Sequence, residues 1–132
     1  MLESRTLTIT INCAPQKLAQ FVTDPRNLPQ WASGLCQSVS QTGDGWQIDT
    51  PQGPATLRFV EKNSFGILDH HVSFGAGKRV FVPMRVVANG DGSEVIFTLF
   101  RAPDMSDAAF AADVDAVQRD LQALKHCLEN GR

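Results

Sequence analysis

The 132-residue chain has no tyrosine, three cysteines, and 12 basic residues set against 14 acidic ones. Each scarcity excludes something. Apart from the adjacent Lys78 and Arg79, the cations (Arg5, Lys17, Arg26, Arg58, Arg85, Arg101, Arg119) are scattered, so no basic stripe tracks a phosphate backbone and nucleic acid is set aside as a partner. Cys13, Cys36 and Cys127 are odd in number, far apart and free of any C-x-x-C spacing. They suit buried thiols in a reducing cytoplasm, not a disulfide framework or a zinc knuckle. No window approaches the roughly 18 apolar residues of a membrane span. The opening "MLESRTLTITI" alternates and carries a glutamate where a signal peptide would be basic, so a cytoplasmic location is expected.

Catalytic motifs are missing too. No G-x-S-x-G is present, and "GAGK" cannot be a phosphate loop, because Lys78 is followed by Arg79 and the first glycine position is held by Val72. Cys127 adjoins His126, but neighbouring side chains on a helix diverge. No nucleophile, metal site or cofactor is expected.

What is present is regular patterning over a length suited to one domain, residues 1–132. "TLTITI" puts Leu7, Ile9 and Ile11 on one face and three threonines on the other, the period of a half-buried strand. "NCAPQKLAQFVTDP" shifts to helical spacing, with Pro15 suited to a first turn and Pro25 to an end. "RNLPQWASG" allows a further helical turn carrying Trp31. Turn signals then recur: "TGDG", "TPQGP", "KNSFG", "GAGK" and "NGDG" divide Leu35 to Ala102 into six strands. Connections this short join antiparallel neighbours.

After Pro103, Phe110, Val114, Val117, Leu121, Leu124 and Leu128 are spaced 4, 3, 4, 3 and 4, the stripe of one long helix. Ser106 suits its N-cap, Asp104 and Asp107 its positive end, and Gly131 its stop. The expected architecture is α+β: a seven-stranded curved antiparallel sheet wrapped around the long carboxy-terminal helix, with two short helices between strands one and two.

In this order of elements, and in "APQKLAQFVTDPRNLPQWASG" and "RDLQALKHCLENG", the chain resembles the helix-grip fold of the START-like (SRPBCC) superfamily, specifically its bacterial polyketide cyclase/dehydrase-type members. The resemblance covers Thr6 to Asn130 and bears on fold more than on activity. The superfamily mixes carriers of lipids and other hydrophobic ligands, cyclases and co-chaperone-like domains. It implies a cavity between long helix and concave sheet, opening near the short helices, that holds a lipid-like or polyketide-like molecule.

The stretch "FGILDHHVSFG" is the most informative. Strand parity puts Leu68, His70, Val72 and Phe74 on the apolar face, and Ile67, Asp69, His71 and Ser73 on the solvent face. Two adjacent histidines on opposite faces cannot bind one metal. His126 lies off the helical stripe. His70 is then a lone inward polar group, either a satisfied core residue or one that orients a ligand or moves a proton.

Parity and helix face select the expected ligand-binding set. Phe59, His70, Val72, Phe74, Val82, Met84 and Phe97 come from the strands, and Phe110 and Val114 from the long helix. Trp31 closes the open end. Arg101, at the end of the last strand, is a candidate for binding a carboxylate at the mouth, or an exposed strand-end residue. Trp46 shares parity with Ile48 and reads as core. Three functions compete: an apolar-ligand binder, a cyclase or dehydratase with His70 as general acid/base, and a protein-interaction module, in a monomer or homodimer. The missing tyrosine and the few inward polar groups leave little to stabilise an enolate, which favours the binder.

Overall fold

A computed structural model describes residues 1–43, 45–75 and 77–130. Among the described residues eight strands form two antiparallel sheets, and a long helix follows them. β1 (Ser4–Ile11), β8 (Gly92–Phe100) and β7 (Met84–Asn89) form a sheet in the order β1-β8-β7. The second sheet runs β2 (Ser38–Thr42), β3 (Gly45–Thr50), β4 (Gly53–Phe59), β5 (His70–Phe74) and β6 (Arg79–Val82) in chain order.

The connection from β1 to β2 falls into three pieces, where two short helices were expected: α1 (Pro15–Val22), a 3-10 turn (Pro25–Asn27) and the single-turn α2 (Leu28–Trp31). Pro25 ends the first helix by starting the second piece, and the Asp24 carboxylate caps that piece by accepting from the Arg26 N–H at 3.1 Å. The long helix is α3 (Asp107–Asn130). Ser106 caps it as the pattern requires, its Oγ accepting from the Ala109 N–H at 3.1 Å. The expected stop at Gly131 lies outside the described residues. Phe110, Val114, Leu121 and Leu124 of the stripe are buried, and α3 lies nearest β1 and α2.

The strand count differs from the expected seven for a definite reason. "RVFVPMRVVAN" reads as one strand, but Pro83 has no N–H and splits it. β6 pairs with β5 and β7 pairs with β8, so the chain changes sheets at the proline. The register nevertheless carries across: His70 faces Val82, and the isolated bridge Ile67–Arg85 continues the same pairing on the far side. In that register Asp69 stands opposite Pro83.

Asp69 is also where strand parity fails. Expected in solvent, it is buried, because its carboxylate takes up the backbone and guanidinium donors of the residues just past the proline. Oδ1 accepts from the Met84 N–H and from Arg85 Nε, each at 2.9 Å, and Oδ2 accepts from Arg85 Nη2 at 2.8 Å. The Leu68 N–H donates to the Met84 carbonyl at 2.8 Å and the Val86 N–H to the Gly66 carbonyl at 2.9 Å. The Pro83 carbonyl accepts from the Thr98 N–H at 3.0 Å, tying the break to β8. Gly66 has φ +75°, and a Cβ there would meet the Val86 carbonyl oxygen at 2.1 Å, so only glycine fits.

The Arg85 guanidinium is the main reason the Asp69 carboxyl titrates below its ordinary value, with the Met84 N–H adding to it and burial opposing. Its contribution to stability is therefore complete above the unfolded carboxylate range, about pH 4, and fades as pH falls through the lower folded value. Asp69→Ala should cost about 2 kcal/mol at pH 7 in urea unfolding, and less at pH 3. Gly66→Ala should cost a similar amount, about 2 kcal/mol, with no such pH dependence.

Candidate functional site

The two sheets turn a common apolar face toward the helices. Ile48, Leu57, Val72, Met84 and Val95 are buried on it, while Phe59, Phe74, Phe97 and Leu99 stay partly accessible. His70 sits in that face as parity requires, buried among aromatic rings. Its ring centroid is 4.9 Å from that of Phe59 on β4 and 6.4 Å from that of Phe97 on β8, so it touches both sheets. His71 points the other way and packs on the exposed Phe81, ring centroids 4.8 Å apart.

His70 Nδ1 lies 3.0 Å from the Leu68 carbonyl oxygen. A carbonyl only accepts, so Nδ1 carries the proton and Nε2 keeps its lone pair. Burial lowers the pKa of the ring from its ordinary 6.5, and the Leu68 carbonyl and the Asp69 charge oppose that shift only in part. His70 is thus neutral at pH 7. In an apolar wall it is an acceptor, or a weak base, at one defined nitrogen.

Cross-strand register brings much of the expected set together. Phe59, His70 and Val82 form one row across β4, β5 and β6, Val72 is one pleat along, and Met84 pairs with Phe97 across β7 and β8. Trp31, Phe110 and Val114 are buried on the helices. The Trp31 indole Nε1 is the one buried side-chain polar atom without a hydrogen-bond partner among the described residues.

Arg101 is otherwise engaged. Its guanidinium meets Glu3 at 3.2 Å and Asp107 at 2.6 Å, and its Nε donates to the Met105 carbonyl at 3.0 Å. It ties the amino terminus to the start of α3, which leaves little of it for a carboxylate ligand.

A cavity of about 240 Å3 opens beside the 3-10 turn, lined by Thr23, Pro25, Gly45, Trp46, Leu57, Arg58, Phe59, Val60 and Lys62. Phe59 belongs both to this lining and to the ring contact with His70. Trp46, read from the sequence as core, is only half-buried and forms part of the wall. Parity did put it on the inward face, but its strand lies near the end of the sheet, where cover runs out. Lys62 lies in a loop, where no periodicity could mark it. A second groove of about 550 Å3 runs between β1 and the flank of α3, over Leu7, Ile9 and Leu121.

Asp120 was also not singled out by sequence, since it sits beside the α3 stripe and not on it. Burial pushes its carboxyl up to about 6, with Arg119 opposing weakly. Cys13 and Cys36 are buried thiols as expected, whereas Cys127 is half-exposed. Among the described residues no group of three or more His, Cys, Asp or Glu is placed to hold a metal ion, and no helix is long and apolar enough to cross a membrane.

No family model and no curated protein matches this sequence. Solved structures do match in fold. Aha1 from Colwellia psychrerythraea, solved as a dimer, superposes with TM-score 0.75 at 16% identity over 99% of each chain. CalU16 from Micromonospora echinospora gives 0.67 at 14% identity, over 98% of this chain and 76% of its own. DynU16, from the dynemicin biosynthetic locus, gives 0.72 at 18% identity over 98% of this chain and 48% of its own. The chain has the helix-grip fold of the START-like (SRPBCC) proteins.

Two titrations check these environments. The His70 ring proton signals should titrate well below pH 6.5, and stability should fall as pH drops below about 6.5, where the unfolded ring protonates before the folded one. His70→Phe should flatten that fall. For Asp120, whose folded value is raised, the cost appears once pH exceeds the unfolded carboxylate range; Asp120→Asn should raise the melting temperature at pH 7 and leave it unchanged at pH 3.

Proposed function

We propose that residues 1–132 act as one domain that binds a small apolar molecule, lipid-like or aromatic, between α3 and the inward face of the sheets. The observation that carries this reading is the 240 Å3 opening walled by Trp46, Leu57 and Phe59, whose Phe59 ring also lies 4.9 Å from His70 in the aromatic face. Trp46, Leu57 and Phe59 form the mouth, and Val72, Phe74, Val82, Met84 and Phe97 extend it inward, with Phe110, Val114 and Trp31 as its cover. Large, adaptable side chains of this kind suit a planar or chain-like ligand. His70 Nε2 offers that ligand one acceptor and the unpartnered Trp31 Nε1 one donor. The origin of DynU16 in an antibiotic biosynthetic locus is in keeping with small-molecule traffic on this fold.

A second reading rests on the same histidine. A neutral imidazole with a free Nε2 in an apolar wall is equipped to take a proton from a carbon beside a ketone, as a cyclase or dehydratase requires. The binding reading survives the loss of that nitrogen, since the apolar wall remains, whereas the enzyme reading requires it.

The test is saturable binding of the uncharged probe N-phenyl-1-naphthylamine, followed by its fluorescence. Trp46→Ala should weaken it about tenfold, the loss of one interfacial aromatic anchor. His70→Phe should retain it. A folded protein that shows no saturable binding overturns the proposal.

A further inference from the structure

The mouth of the cavity has a chemistry of its own. Its lining contains the cation Lys62 and no acidic residue among the described residues, in a protein whose net charge is -2; Arg58 borders it, but its side chain shares the outward face of His71. The nearby carboxylate of Asp24 is already engaged by Arg26, at 2.9 Å to Nε and 2.8 Å to Nη2. Lys62 makes no ion pair among the described residues, although its charge is felt at Asp24.

The loop that carries Lys62 is also built to keep its shape. Asn63 Oδ1 accepts from the Phe65 N–H at 2.9 Å and the Ile67 N–H at 3.2 Å, while Nδ2 donates to the Glu61 and Ile67 carbonyls, each at 3.0 Å. Ile67 is the residue bridged to Arg85, so this turn is fastened to the sheet. Lys62 is therefore presented at the rim of an aromatic opening by an ordered backbone, so the loop itself need not order when a ligand arrives.

We infer that the ligand is amphipathic and carries a single acidic group, its apolar body lying against Trp46, Leu57 and Phe59 and its anion at the rim beside Lys62. This deepens the apolar-binding reading and rests on it. An uncharged ligand would leave that cation without a role, and a polyanion would find only one. A monocarboxylate or a comparable monoanion matches both the charge and the apolar wall.

Two probes with the same ring system separate the terms. 8-Anilinonaphthalene-1-sulfonate carries one anion and N-phenyl-1-naphthylamine carries none. With wild-type protein at low ionic strength the sulfonate should bind more tightly. Raising the salt from about 0.01 to 0.5 M should erase that advantage and leave the uncharged probe unaffected, since salt screens the rim pair and not the apolar contact.

Lys62→Glu should weaken the sulfonate about tenfold and the uncharged probe less than twofold. Lys62→Met, which removes the charge without reversing it, should give a smaller loss with the same selectivity, and it covers the case in which the glutamate variant does not fold. If both probes bind the wild type and both variants keep the sulfonate preference, the charge proposal is overturned while the apolar cavity stands. If neither probe binds, the cavity reading itself has failed and this inference falls with it.

Discussion

The carboxylate of Asp69 holds together the place where this sheet would otherwise come apart. Pro83 removes a ladder donor in the middle of what would be one continuous strand, and the chain uses the break to pass from one sheet to the other. Asp69, opposite the proline, supplies acceptors for the next N–H along and for Arg85, so the register survives the interruption. The pair is tolerable because Arg85 keeps half its side chain in water, while the carboxylate, nearly buried, has both oxygens bonded.

That seam also sets the state of the candidate site. Leu68 donates its N–H to Met84 across the break and offers its carbonyl to His70 Nδ1. The tautomer of His70 is therefore a consequence of how the two sheets are joined. Because the ring is neutral and the Asp69 carboxylate is paired with Arg85, neither adds an unpaired charge to the apolar wall at pH 7. Asp120 shows the alternative: a half-buried carboxylate opposed only weakly by Arg119, which holds its proton to about pH 6.

Period-two and period-3.6 signals located β1, α1 and α3 because each buries one face against one neighbour. Strand parity oriented His70 and His71 correctly for the same reason. It failed at Asp69, where residues 66–69 run beside β7 but outside regular strand, and the side chain turns inward to bond backbone. A proline inside an apolar run was visible, but not that the two halves would pair with different sheets, since that depends on partners distant in sequence. Trp46 and Lys62 were illegible as a pair, because one belongs to a strand and the other to a loop, and only the β3–β4 pairing of Trp46 with Leu57 brings the wall of the mouth together. Arg101 looked available for a ligand because its partners, Glu3 and Asp107, lie in other elements.

Fold and function separate here at an identifiable level. Proteins that share this architecture at 14–18% identity share the alternation of elements, which any sequence of the right periods can satisfy. What the shared architecture does not fix is the small number of side chains that it leaves partly uncovered. In this chain those are the rings around His70 and the residues of the mouth, and neither group carries the structural load that falls on Asp69, Gly66 and Met84. The mouth can therefore change its chemistry without disturbing the seam. On the binding reading proposed above, residues such as Trp46 and Lys62 would consequently set the selectivity of this chain.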